Sequence, residues 1–495
     1  MLFNSHNFIF IFLPSVLILY FLFHKNYKYR LTLLTLASFY FYAYWDLKYS
    51  VLLIISILLN YALSFFVKRK NKIAFFLAIL INLLILATFK YLGMFINFLQ
   101  LFSERDIIKI DLILPLGISF FTFQQIVFQI DNFNNKIKTP KLSEYFFFIT
   151  FFPQIIAGPI VHHQEIFSQI KKKIKLSENF LIGFSIFSIG LFKKVIIADY
   201  VAVSSDAYYG AIASGYYPSL LESLIGTLSF TIQIYFDFSA YSDMAMGLAY
   251  IFGFKLPLNF ASPYQATSIS EFWRRWHITL SRFFKNYLYI PLGGNSDHIL
   301  KSFFNLFIVM SLAGLWHGAS INFIFWGMIH GFFLIVNHAY RKIKEKISIL
   351  KISPMFSWLI TFFCINLSWV PFRTSNFNET IVVWKSIFSI DNFILPSSIS
   401  MLGLPTKEFI QIVDYYNVSI VILISLIIVF FLPNIYQVFS TYNVALKSKG
   451  YFSDSYSKLN FRWKPNYLWL FLLILSVFFS LGKLSEQKEF LYFQF

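Results

Sequence analysis

Two histidines sit where an apolar sequence has little ordinary use for them. The first lies in FFNLFIVMSLAGLWHGASINFIFWGMIHGFFLIV, residues 303–336, where His317 is deep in the run and His330 lies further along. A histidine inside an apolar span is a functional hypothesis by default, because a polar ring there is costly. A buried neutral imidazole can take a proton from a hydroxyl and return it to a leaving group. It can also ligate a metal, relay protons or simply pack. No HExxH-type spacing accompanies it, so metal is the weak option and none is assigned. Gly314 and Gly318 are one helical turn apart, which lets a backbone or a ligand come close beside His317.

The second histidine is in EFWRRWHITLSRFFKNYLYIPLGG, residues 271–294. On a helical wheel Trp273, Trp276, His277, Leu280, Phe283 and Phe284 share one arc, while Arg274, Arg275, Arg282 and Lys285 fill the other. That pattern predicts an interfacial amphipathic helix over 271–290, with His277 at the edge of the apolar arc and turned inward. The cations suit lipid phosphates, or the phosphates of a nucleotide-type donor that an arginine fork can grip. Pro291 and the pair Gly293–Gly294 then end the helix.

The elements that must position these rings are membrane helices. Of the 495 residues 58% are hydrophobic and 13% charged, where a soluble chain carries about a quarter charged. Apolar segments long enough to cross a bilayer recur throughout. The formal charge of +18 sits in short loops, which points to membrane orientation and anionic lipid and not to nucleic acid. The single cysteine, Cys364, excludes an internal disulfide, and its apolar neighbours favour a packed core residue over a covalent intermediate.

Spans are expected at 8–23, 31–45, 51–67, 73–89, 112–130, 180–202, 219–236, 239–254, 303–336 (in one or two pieces), 355–371, 417–432 and 467–482, giving about eleven or twelve crossings. The first reads as a retained helix, since it ends in HKNYKYR and not in a cleavage site. Basic loops at 24–30 and 68–72 belong to the cytoplasmic side. Residues 143–161 lie between basic runs at 136–141 and 171–175 and contain Pro153, Gly158 and Pro159. They read as a re-entrant segment lining a cavity. Lys193 and Lys194 fall inside a span and need a polar cavity or a route to the surface. Asp237 and Asp243 are expected at a turn between two spans, and 373–412 forms a loop or small surface subdomain. Nothing divides the chain, so 1–495 is expected to be a single integral membrane domain.

Taken together, PLGISFFTFQQI at 115–126, FFPQIIAGPI at 151–160, QIYFDFSAYSDMAMG at 233–247, the stretch around His277 and GLWHGASINFIFWGMIHG at 314–331 resemble the membrane-bound O-acyltransferase family. The nearest likeness is to its bacterial branch of alginate and peptidoglycan O-acetyltransferases. The start MLFNSHNFIFIFLP and the closing FLYFQF share the likeness, and the tail reads as native. The resemblance implies an all-α polytopic fold, with a ring of tilted helices around a thin catalytic region where two funnels meet. It maps the family's invariant histidine onto His317 and a second characteristic histidine onto His277. It implies transfer of an acetyl group from a cytoplasmic thioester, acetyl-CoA, to a hydroxyl of an extracytoplasmic polysaccharide, with no tightly bound cofactor. A separate SGNH-like acetyltransferase partner at the cell surface is implied as acceptor or relay, and the location is a bacterial inner membrane. Arg274, Arg275 and Arg282 become candidates for donor phosphates. Two other readings stay open: D-alanyl transfer toward teichoic acid from a carrier-protein thioester, and a non-enzymatic transporter or flippase.

Overall fold

The computed structural model describes residues 1–100, 102, 112–156, 158–295, 298–346, 352–397, 405–409, 411–446, 461–486 and 488–491. The last four residues of FLYFQF therefore lie outside the described residues. Almost everything described is helix. A π-helical turn, Asn7–Phe12, runs into α1 (Leu13–Phe23), followed by α2 (Tyr27–Ala43), α3 (Leu47–Lys68) and α4 (Lys72–Gln100). Side chains start two of these: Asn26 accepts from the Lys28 N–H and Asp46 from the Lys48 N–H, each satisfying a donor the helix leaves open.

Helix α5 (Ile118–Phe133) leads to a broken segment, α6 (Leu142–Thr150), α7 (Phe152–Ile155) and α8 (His163–Phe167). The break at Phe151 precedes Pro153 in the first turn of α7, where a proline costs no hydrogen bond. Helices α9 (Leu176–Phe192) and α10 (Asp199–Ala213) are joined by a π-helical stretch, Lys193–Ala198. Next come α11 (Leu220–Ile251), then α12 (Ile269–Arg275) and α13 (Ile278–Phe284). The apolar run around His317 is two helices, α14 (Ile299–His317) and α15 (Ile321–Lys346). The chain continues through α16 (Pro354–Arg373), α17 (Phe377–Phe388), a short parallel pair β1 (Leu395–Pro396) with β2 (Thr406–Lys407), α18 (Tyr415–Phe431), α19 (Ile435–Val438) and α20 (Tyr467–Gly482).

Six helical stretches among the described residues are long and apolar enough to cross a membrane: Leu47–Lys68, Lys72–Gln100, Leu176–Ala213, Ile299–His317, Ile321–Glu345 and Pro354–Arg373. Three shorter apolar helices accompany them. The protein is a multi-pass helical membrane protein.

At the centre is α11, buried over nearly its whole length from Gly226 onward. The two spans expected at 219–236 and 239–254 are this one helix, with no turn between them. Asp237 and Asp243 face inward because cations meet them there. Lys194 Nζ lies 2.6 Å from both Asp199 and Asp237, and Lys193 Nζ lies 2.7 Å from Asp243. Neither intramembrane lysine stands alone: each answers a buried carboxylate, and Lys193 also lines a recess of about 660 Å³.

The basic loops gather on one face. Arg30 donates to the carbonyls of Ile170 and Lys172, Lys68 to Ile137 and Lys70 to Phe133. Lys171 sits over the Tyr27 ring.

Candidate active site

His317 is the last residue of α14, so its place depends on how that helix ends. A helix leaves its last four carbonyls without internal partners. Here α4 supplies them from the side: the Tyr91 hydroxyl donates to the Leu315 carbonyl at 2.9 Å, and the Lys90 ammonium donates to the Trp316 carbonyl. A cation at a helix C-terminus also complements its dipole. On the other flank α15 packs against the helix at van der Waals limits. A Cβ on Gly314 would come 2.1 Å from the Phe323 carbonyl oxygen, and one on Gly318 would come 2.2 Å from the Phe323 ring. The two glycines admit a neighbouring backbone and ring, leaving no room beside them for a ligand.

The imidazole of His317, 7% exposed, sits in an aromatic shell. Trp316, Trp326 and Phe372 lie 4.8, 5.0 and 5.1 Å away, all near edge-on. Trp276 and Trp369 complete the shell, 4.9 Å apart. The cavity it encloses is small, about 20 Å³, and His317, Trp326 and Asp237 are in its wall. That is room for about one water. The C-terminal segment closes one side through Phe490 and Leu491. The Leu491 N–H donates to Asp237 Oδ2 at 2.7 Å, and Phe490 stacks on Tyr241 at 4.8 Å. The N–H of Trp326 is a buried donor with no partner among the described residues.

His277 is not on a continuous helix. It is the residue at which α12 stops and α13 starts, with φ 41° and ψ 54°. A non-glycine residue there costs on the order of 1–2 kcal/mol, and such strain gathers at functional sites. Asn259, in the loop after α11, holds the geometry: its carbonyl accepts from the Ile278 N–H at 2.9 Å. Its side chain also fixes the tautomer of His277. The Ile160 N–H donates to Thr279 Oγ1, so the Thr279 hydroxyl proton goes to Asn259 Oδ1 at 2.9 Å. The Thr279 N–H points to the same oxygen. Asn259 Oδ1 is therefore an acceptor, and His277 Nδ1, 3.1 Å away, carries the proton. Nε2 of the neutral ring is left as the basic nitrogen, buried and without a partner among the described residues. The ring is 1% exposed and packs 6.2 Å from Trp316, the neighbour of His317. It and His330 lie within electrostatic reach of His317. His277 is not in the cavity wall. His330 accepts from the Trp273 indole N–H at 3.3 Å, a packing role.

The arginines separate. Arg274 is exposed on α12. Arg275 is buried and binds Glu271 at 2.6 Å and the carbonyls of Ala261 and Ser262. Arg282 grips Glu165 with both amino groups, at 2.6 and 3.0 Å. Two of the three guanidinium groups are thus engaged within the protein. Lys90 and Asn259 are the residues the motifs did not single out. A lone lysine in the apolar run LATFKYLGMF was the available signal for the first, and PLNF offers none for the second.

Residues 39–370, which include both histidines, match the family described as MBOAT, membrane-bound O-acyltransferase family. The chain is 40% identical over 450 residues to the peptidoglycan O-acetyltransferase of Helicobacter pylori, covering 84% of each. It is 35% identical over 400 residues to the probable alginate O-acetylase of Pseudomonas aeruginosa, covering 79% of this chain and 75% of that one. To the teichoic acid D-alanyltransferase of Bacillus subtilis it is 28% identical over 248 residues, 48% of this chain and 62% of the other. A buried histidine in a narrow aromatic chamber, inside a match of this extent, makes the protein an acyltransferase that belongs to the membrane-bound O-acyltransferase family, in its alginate and peptidoglycan O-acetyltransferase branch.

Proposed function

We propose that the protein moves an acetyl group from a cytoplasmic thioester, acetyl-CoA, to a hydroxyl outside the membrane. The hydroxyl belongs to a cell-wall or exopolysaccharide, or to an SGNH-like partner that relays the group. The observation that carries this reading is His317 in the wall of a narrow, mostly apolar chamber. His317 takes the proton of the accepting hydroxyl as its oxygen attacks the thioester carbonyl. A C–O bond forms and the C–S bond breaks. The proton passes from His317 to the departing sulfur, so the products are an ester and a thiol. The Trp326 N–H is a donor available to the oxyanion, and His277, with Nε2 basic, shares the proton of His317. Excluding water protects the thioester from hydrolysis.

The basic face is read as cytoplasmic. A re-entrant course for 143–161 is supported by the chain on either side of it: Lys68 donates to Ile137 and Arg30 to Ile170, both on that face. Between them the Phe152 N–H reaches Ser38, which lies about 12 Å along α2 from Arg30. A second reading, D-alanyl transfer from a carrier protein, draws support from the D-alanyltransferase likeness, which covers a smaller part of the chain. Purified protein given acetyl-CoA labelled in the acetyl group, with membranes holding the acceptor, should release CoA and label the acceptor. His317→Ala and His317→Gln should abolish both. Transport of an intact solute that survives His317→Ala refutes acyl transfer.

A further inference from the structure

Beside α11, and apart from the chamber, lies a larger space. It is the recess of about 660 Å³ that Lys193 lines, bounded by α9, α11, α18, α19 and α20. Ligand sites commonly fall between about 300 and 1,000 Å³. Leu432, Leu472 and Phe479 are in its lining and are themselves exposed, so its mouth lies between the end of α18 and α20. Both helices are apolar, and near the mouth they turn Ile427, Ile474 and Phe478 outward. In a membrane, what meets that mouth is hydrocarbon. The lining is mostly apolar, and its two charges cancel: Lys193 and Asp243 are 2.7 Å apart, and the ammonium lies 5.8 Å over the rings of Tyr235 and Phe236. An anion gains little from such a pair. A water needs two to four polar partners, which most of this lining does not supply. A neutral hydrocarbon chain suits it.

The walls of the recess are tied together. The Asn434 amide donates to the Ser262 hydroxyl at 3.0 Å, the Gln265 amide to the Val429 carbonyl at 3.2 Å, and the Trp463 N–H to the Val438 carbonyl at 2.9 Å. The space therefore cannot close by simple collapse of α18 and α19 onto α11. Recess and chamber also share a wall. On α11, Tyr235 and Phe236 line the recess, while Ile234, Asp237 and Phe238 line the chamber. Phe260, in the recess wall, lies 5.0 Å from both Phe238 and Trp276 in the chamber wall, and Tyr235 lies 6.3 Å from Trp276. A layer of packed rings separates the two spaces. Rings with a void behind them forfeit their contacts on that side, so the layer needs something in the recess to press against.

We propose that this recess holds an acyl chain of a bilayer phospholipid as a resident part of the protein, and that the chain backs the ring layer of the chamber wall. Full-length protein is placed in nanodiscs of phosphatidylcholine that carries a photoactivatable diazirine in one acyl chain, and the cross-links are mapped by mass spectrometry. Wild type should be labelled at Tyr235 and Phe260, which are buried and out of reach of lipid around the outside, as well as at Ile474 and Phe478 on the outer face of α20. A Leu475→Trp/Ser476→Phe variant, which fills the recess with its own side chains, should keep the outer labels and lose most of the inner ones. Wild type stripped of lipid in a steroid-based detergent, which has no acyl chain, should melt lower. It should recover when phosphatidylcholine is returned, as a ligand of the folded state requires. Its peptides spanning Phe260 and Trp276 should take up more deuterium when stripped. The variant should show neither change. Wild-type labelling confined to the outer face overturns the proposal whether or not the variant folds. Equal inner labelling of the two proteins, or a stripped wild type that melts and exchanges as before, overturns it as well. None of these readouts uses the reaction, so the site stands or falls apart from the acyl-transfer reading.

Discussion

Replacing Lys90 by Met isolates the lateral cap on α14. The substitution keeps most of the side-chain volume against Trp316 and deletes the one charged donor to its carbonyl. A hydrogen bond from a charged group contributes about 1.5–3 kcal/mol. His317 is the residue after that carbonyl, with no further helical turn to absorb a shift. If the loss is felt wholly at the reacting geometry, kcat falls about 10- to 150-fold, with little change in donor KM. Tyr91→Phe, which frees the Leu315 carbonyl from a neutral donor, should cost about 1 kcal/mol and correspondingly less rate. Lys90→Arg keeps a cation with N–H donors in place and should recover most of the activity. Steady-state kinetics of CoA release, beside a thermal melt of the same preparations, checks all three. A Lys90→Met protein that melts earlier yet keeps its full kcat refutes the claim that the cap sets the aim of His317.

Trp326→Phe puts a smaller aromatic ring in place of the indole and removes its unpartnered N–H; if that N–H meets the oxyanion, kcat drops about 100-fold or more while KM holds. Asn259→Leu strands the His277 and Thr279 donors, at about 1–3 kcal/mol for each one left buried and unpaired, whereas Asn259→Asp retains an acceptor and should melt higher than Leu. Lys194→Met leaves Asp199 and Asp237 facing each other without a cation and should destabilise the protein by about 3–5 kcal/mol, seen as loss of the monodisperse peak after mild heating.

Much of this arrangement can be read from the sequence, where local pattern decides it. The apolar runs give the long helices, because hydropathy over about twenty residues is itself the physical requirement for crossing. The break near Pro153 and the division of 303–336 into two helices follow from local chemistry in the same way. What escapes is decided by distant partners. Asp237 and Asp243 look like turn residues until Lys194 and Lys193, on another helix, are found opposite them. A helical wheel runs smoothly through His277 because no glycine or proline announces the left-handed residue there; Asn259 and Thr279 impose it. The pairing of Arg275 with Glu271 follows helical spacing, but nothing near Arg282 foretells Glu165.

The size of the chamber bears on the cell as well as on the reaction. Any catalyst that serves both faces of a bilayer lies across the proton gradient that the membrane exists to hold. A space for about one water, walled mostly by indole and phenyl rings, leaves little room for a file of waters along which protons hop. The tight aromatic packing around His317 therefore also acts as electrical insulation.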